Sequence, residues 1–199
     1  MKNMKKGSSK EKEKYHSAIQ VSDVDVVKRF IAYLIDWFLS DLLMAFPIVI
    51  LYSKIFQTTD MKTDLFLFPT PYDLLAGTFA LILGILYFVG LPYIHHCGQT
   101  PGKRLCKFKI VMEDGTSVSL KALCIRQIIG LFLLEGSLLS VSKYIREMAM
   151  LVSGVFESMQ IIYYIGVIFG VISIVLVVIT KKRKAIHDIL AKTHVMMCK

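Results

Sequence analysis

Apolar residues in this chain fall in long blocks, not in the alternating or 3.6-residue rhythm of a half-buried element. Uncharged or nearly uncharged stretches run from Phe30 to Tyr52, Leu74 to Ile94, Ala122 to Val141 and Ile161 to Thr180. Each reaches the roughly 20 residues that cross ~30 Å of hydrocarbon at ~1.5 Å per residue. The pattern predicts an all-α membrane protein with four transmembrane helices, over about residues 30–52, 74–94, 122–141 and 161–180. Small residues recur at helical spacing in two of them, Gly166 and Gly170 followed by Ser173, and Gly77, Ala80 and Gly84. Helix backbones approach closely in lipid where side chains are small, so these stripes predict packing faces; a substrate path lined by the same glycines is the sharper alternative.

The polar segments carry their own signals. Lys107 to Met112 alternates polar and apolar before turning β-branched, Glu113-Asp114-Gly115-Thr116 supplies a turn, and Ser117-Val118-Ser119 follows, which predicts a small cytoplasmic β-hairpin over about residues 106–119. A lone hairpin is marginally stable, and Thr193 to Met197 has strand propensity, so a three-stranded sheet is expected. Residues 1–24 are rich in Lys, Glu, Ser and Gly. They cannot bury enough surface to offset chain entropy and predict a disordered basic cytoplasmic tail ahead of a membrane domain over 25–199.

Composition sharpens the class. Of 199 residues, 55% are hydrophobic and 20% charged, against about 45–50% and about 25% in soluble domains. What the four stretches leave over is too little for a separate catalytic domain, so no enzyme and no cofactor are expected, and any chemistry must sit in the bundle or its short loops. The net charge of +9 raises nucleic acid as a partner. That reading is set aside because the basic residues bracket apolar spans and form no isolated basic domain. Nineteen Lys and Arg lie before Phe30, in 95–121 or in 181–199, against four in 53–73 and 142–160. The positive-inside rule then places both termini and the central loop in the cytoplasm of a multi-pass cell-membrane protein, its basic segments facing anionic headgroups of the bilayer. The first span follows 29 residues and exceeds a signal-peptide core, so it is expected to stay uncleaved, and no lipidation motif is evident. Cys97, Cys106, Cys124 and Cys198 fall near the cytoplasmic side, where reduced thiols are expected.

Ionisable residues inside the spans are the main candidates for function. Arg29, Tyr33, Asp36 and Ser40 recur at intervals of four, three and four, one stripe of a helix. If hydrocarbon begins near Phe30, Asp36 lies roughly 9 Å in and Asp41 roughly 16 Å in, where an unpaired charge costs at least ~2.5–3.5 kcal/mol. Arg29 and Asp36 share a face but sit about 10.5 Å apart along the axis, too far for the usual helix pair. Each therefore needs a partner elsewhere, the candidates being Arg126, Lys103, Arg104 and Asp188. Such residues are either ion-binding groups or a structural ion pair. Glu135 in the third span is either a desolvated proton carrier or a surface acid near the outer leaflet.

Three motifs are set aside. Gly98-Gln99-Thr100-Pro101-Gly102-Lys103 has three residues between its glycines and Arg104 after Lys103, so it is a tight turn and not a phosphate loop. His95-His96-Cys97 lacks companion ligands for a metal. His187-Asp188 lacks a nucleophile, and Lys181 to Lys184 reads as a positive-inside clamp.

Three stretches, in order, resemble the RDD family of small membrane proteins. Lys28 to Asp36 is similar to its Arg-x-x-Ala-x-x-Ile-Asp helix, Gly98 to Arg104 to its Gly-x-Thr-x-Gly-Lys loop, and His187 to Thr193 to its His-Asp-Leu-x-Ala-Gly-Thr close. The resemblance implies that Arg29, Asp36 and Asp188 are the name-giving residues and that Arg126 is the arginine often seen before the next span. Lys192 stands where the family usually has Gly, and Asp41 is an additional acid. The resemblance also implies a helical membrane fold. For activity it suggests transport of a small ion or ligand, as in members that resemble cation/proton antiporters. The alternative is a non-catalytic scaffold or regulator of a membrane protease or quality-control complex. Four helices make a thin pathway, so transport would call for a homo-oligomer or another membrane protein.

Overall fold

The computed structural model describes residues 24–94, 98–180 and 183–198. The basic tail to residue 23, His95-His96-Cys97 and the first two residues of the Lys181 to Lys184 run lie outside the described residues.

Helix α1 spans Val26–Phe56 and ends on Gln57 in the left-handed region. Helix α2 spans Tyr72–Ile94, with a π-helical turn over Leu86–Gly90. A short helix α3, Pro101–Leu105, leads into strand β1, Phe108–Met112. Helix α4, Leu120–Glu135, is π-helical from Ile125 onward. Helices α5, Ser140–Ser153, and α6, Phe156–Ile179, follow, and the short α7, Ile186–Leu190, precedes strand β2, Thr193–Met197.

Three helices, α1, α2 and α6, are each long and apolar enough to cross a membrane, and α4 and α5 taken as one span bent by 71° make a fourth. The straight third span expected over 122–141 is thereby corrected to two half-helices. Gly136 is where the chain turns: a Cβ there would strike the Leu131 carbonyl oxygen, so the bend needs glycine. A broken helix strands carbonyls at its end, and in lipid these need partners. Ser142 donates to the Phe132 carbonyl at 2.6 Å and Arg146 to the Ser137 carbonyl at 3.1 Å.

Glycines set the packing. Gly84 of α2 leaves room for Met44 of α1 and Val141 of α5, and Gly77 leaves room for Met148. Helix α5 therefore runs along α2 away from the sheet. Gly166 and Gly170 of α6 lie against Ser137 and the Glu135 carbonyl. Elsewhere α6 is nearly bare, with only Gly166 and Ser173 buried.

The strands make a two-stranded antiparallel sheet with Phe108 opposite Met197, Ile110 opposite Val195 and Met112 opposite Thr193. The expected hairpin is corrected: its turn forms, with Gly115 at φ +81° and Asp114 accepting from the Thr116 amide at 2.9 Å. Its second strand is reduced to one bridge between Val111 and Ser117. The reason is local, since the Ser119 hydroxyl accepts the Ala122 amide at 3.2 Å and caps α4, drawing the chain off the sheet. The 193–197 segment takes the place beside β1. A buried cluster including Ala32, Val89, Phe108, Ile110, Leu123 and Val195 fastens the sheet to one end of the bundle.

Candidate functional site

Asp36 sits on the third turn of α1 and is 2% exposed. One carboxylate oxygen accepts from the Tyr87 hydroxyl and from the Gly102 amide, both at 2.8 Å. The other accepts from the Thr100 hydroxyl and from Lys103 Nζ, the latter at 3.3 Å. Thr100 stands at the start of α3 without capping it, its hydroxyl being given to Asp36, and Pro101 opens the helix, so the Gly102 amide is one of the donors a helix start leaves free. Asp36 thus acts as a capping acid supplied by a different helix. A Cβ at residue 102 would collide with the Ala32 carbonyl and the Asp36 carboxyl, so only glycine lets the loop come this close. Gly98, at φ +59°, closes the loop on the sheet by accepting the Ile110 amide at 2.8 Å. Burial pushes the Lys103 ammonium below its ordinary pKa, with Asp36 opposing the shift.

Asp188 forms the second centre and is 1% exposed. It makes a close ion pair with Arg126, lies 3.8 Å from Arg29 Nη2 and accepts the Ala185 amide at 3.1 Å. Burial by itself would raise the Asp188 pKa, but Arg126, His187 and Arg29, with the Ala185 amide, hold it down at about 2. Arg126 also donates to the Thr193 hydroxyl at 2.7 Å, and Arg29 to the Arg183 carbonyl. Residues of α1, α4 and α7 therefore meet on one carboxylate, and Arg126 ties β2 to it through Thr193. Arg29 and Asp36 share a helix face yet belong to separate centres. Arg104, also a candidate partner, is exposed and joins neither.

Glu135 closes α4, and its side chain is 6% exposed. One oxygen accepts the His187 amide and the other lies 2.8 Å from His187 Nδ1. Nε2 of the same ring lies 3.9 Å from Asp188. A chain of ionisable groups thus runs from the bend between α4 and α5 to the Arg126–Asp188 pair. Asp41 lies at the middle of α1, is exposed, and accepts from the hydroxyl of Ser140, the first residue of α5.

Sequence reasoning had singled out Arg29, Asp36, Asp41, Arg126, Glu135 and Asp188 but not Tyr87, Ser140, Thr193 or His187 as their partners. His187 had a readable signal, since it stands beside Asp188 in the closing motif. Tyr87 had none, because the π-helical turn that aims it is invisible to a 3.6-residue pattern. The left-handed Lys192, φ +50°, makes the turn into β2 and accounts for the usual glycine there.

No curated protein and no solved structure matches the chain. The RDD family model matches residues 24–192, most of the chain, including the first two motif stretches and all of the third but its last residue. With Asp36 and Asp188 each gathering one of those stretches onto the bundle, the chain belongs to the RDD family.

Proposed function

We propose that this RDD membrane protein moves a small cation in exchange for protons across the cell membrane, with both chain ends and the sheet on the cytoplasmic side. The observation that carries the reading is the Glu135 carboxylate, 6% exposed at the bend of a broken crossing and paired with His187 Nδ1 at 2.8 Å. Discontinuous helices commonly place ion sites near the midplane, and buried carboxylates and imidazoles make proton relays. Glu135 and Asp41 are the working acids. A proton on Glu135 passes to His187 and leaves toward the sheet side as a cation takes its place at the Glu135 carboxylate. Arg29, Asp36, Arg126 and Asp188 have the different task of holding α3, α7 and the sheet in place. No catalytic, cofactor-binding or nucleic-acid-binding role is proposed.

Purified protein in liposomes carrying an internal pH dye tests this. Imposed Na⁺ or K⁺ gradients should move protons with the native chain and not with Glu135→Gln. Absence of flux from the native chain sinks the reading.

A second reading, scaffold or regulator of another membrane protein, is favoured by α6, which buries only two residues and offers an apolar face to a partner helix or a second copy. A silent native chain that co-purifies with a membrane partner supports it.

A further inference from the structure

At the end of the bundle away from the sheet, α5 turns into α6 through Gly154 at φ +68°, and the two helices border a cavity of about 270 Å³. Lys143, Arg146, Glu147 and Gln160 supply its polar wall, a carboxylate among them, and Phe66, Met150, Met159 and the Tyr163 ring its apolar wall. Ligand pockets for drug-sized molecules run to roughly 300–1,000 Å³. This one is sized for a headgroup and not for a whole amphiphile.

Basic residues are scarce here. Only Lys54, Lys62, Lys143 and Arg146 lie in the segments 53–73 and 142–160, and two of them converge on this cavity. Arg146 is held with its guanidinium carbon 5.0 Å from the Tyr163 ring centre while Nη2 donates to the Ser137 carbonyl at 3.1 Å. No further hydrogen bond from Arg146 forms among the described residues. Lys143 lies 3.6 Å from Glu147, and their charges offset one another. The cavity therefore keeps one net positive charge, carried by a planar donor group of the kind that suits phosphate. Phe66 stacks on Phe156 at 5.6 Å, and Phe156 is exposed, so the apolar wall runs out onto the outer face of α6. Aromatic residues such as Tyr163, Tyr164 and Phe156 gather where bilayer meets water.

We infer that this cavity seats the phosphate-bearing headgroup of an anionic phospholipid. Arg146 binds the phosphate, Lys143 and Gln160 reach its remaining oxygens, and the acyl chains lie along Phe66 and Phe156. Inorganic phosphate shares the charge chemistry, but the apolar wall favours the lipid.

Native mass spectrometry of detergent-purified protein titrated with phosphatidylglycerol or phosphatidylcholine reads the site directly. Phosphatidylglycerol should be retained at least about tenfold more strongly, a difference that Arg146→Gln abolishes, Arg146→Lys keeps only in part and Lys184→Gln at the sheet end leaves alone. If Arg146→Gln does not fold, a photoactivatable phosphatidylglycerol on the native chain decides: it should crosslink within 143–163. Label found only at the sheet end, equal retention of the two lipids, or full displacement by millimolar inorganic phosphate overturns the inference.

Discussion

The carboxylate of Asp36 accepts the backbone amide of Gly102 at 2.8 Å across 66 residues of chain. The contact makes a membrane helix and a loop motif one unit, and it defines two different ways to break it. Asp36→Asn leaves Lys103 without its counter-charge. Removing one member of a buried pair costs ~3–5 kcal/mol, and the low end, about 3, applies because the Lys103 side chain keeps 16% exposure. Gly102→Ala keeps every charge but collides with Ala32 and Asp36, at about 1–3 kcal/mol of overpacking. Both should lower the thermal midpoint in detergent and speed tryptic cleavage at Lys103 and Arg104. Unchanged midpoints would show that the clamp holds nothing.

Acid should loosen the Asp188 centre within a defined window. Its folded pKa, about 2, lies below the ordinary 3.8, so the stabilisation is complete above pH 4 and is lost as pH falls toward 2. The difference amounts to about 2 kcal/mol. Unfolding midpoints measured at pH 5, 3 and 2 should fall for the native chain, and Asp188→Asn, less stable throughout, should lack this component.

Glu135→Gln should separate folding from flux. The amide keeps an oxygen to accept the His187 amide, so the thermal midpoint should stay within a few degrees. Proton movement in liposomes should fall at least about tenfold, since a positioned acid or base contributes ~10²-fold or more. A variant as active as the native chain removes Glu135 from the pathway.

Lys192 gives a prediction of opposite sign. A side-chain-bearing residue in the left-handed region costs about 1–2 kcal/mol, and glycine there recovers part of this against its own entropy. Lys192→Gly should therefore stabilise the protein by up to about 1 kcal/mol, while the β-branched Lys192→Val destabilises it, as chemical denaturation would report.

Sidedness is open to labelling in cells. A membrane-impermeant maleimide should modify Lys62→Cys, introduced in a background whose native cysteines are replaced, and should leave Cys198, when it is the single thiol, untouched until the cells are opened. The reverse pattern inverts the proposed topology.

Much of this architecture was legible in the chain because lipid punishes polar groups so heavily. The blocks of apolar residues located α1, α2 and α6 to within a few residues of their ends, and the glycine stripes marked the faces that meet neighbours. Gly136 and Ser137 were too faint a signal against the apolar residues on either side to announce the bend that shortens the third span. The partner of β1 could not be decided locally either. Ser117 to Ser119 has strand chemistry, but Ser119 serves α4 as a cap, and that competition is settled by packing. Acids and arginines were recognisable as misplaced in lipid; which would meet depended on how α7 folds back beside α4.

The position of Asp188 in the chain bears on biogenesis. Arg29 and Arg126 leave the ribosome well before it, so through most of synthesis two guanidinium groups await the anion they will share. A nascent chain halted ahead of residue 188 lacks the carboxylate that pairs with Arg126 and has no β2 to cover β1. The buried Arg126–Asp188 centre therefore closes only once α7 has been made, after every helix long enough to cross a membrane.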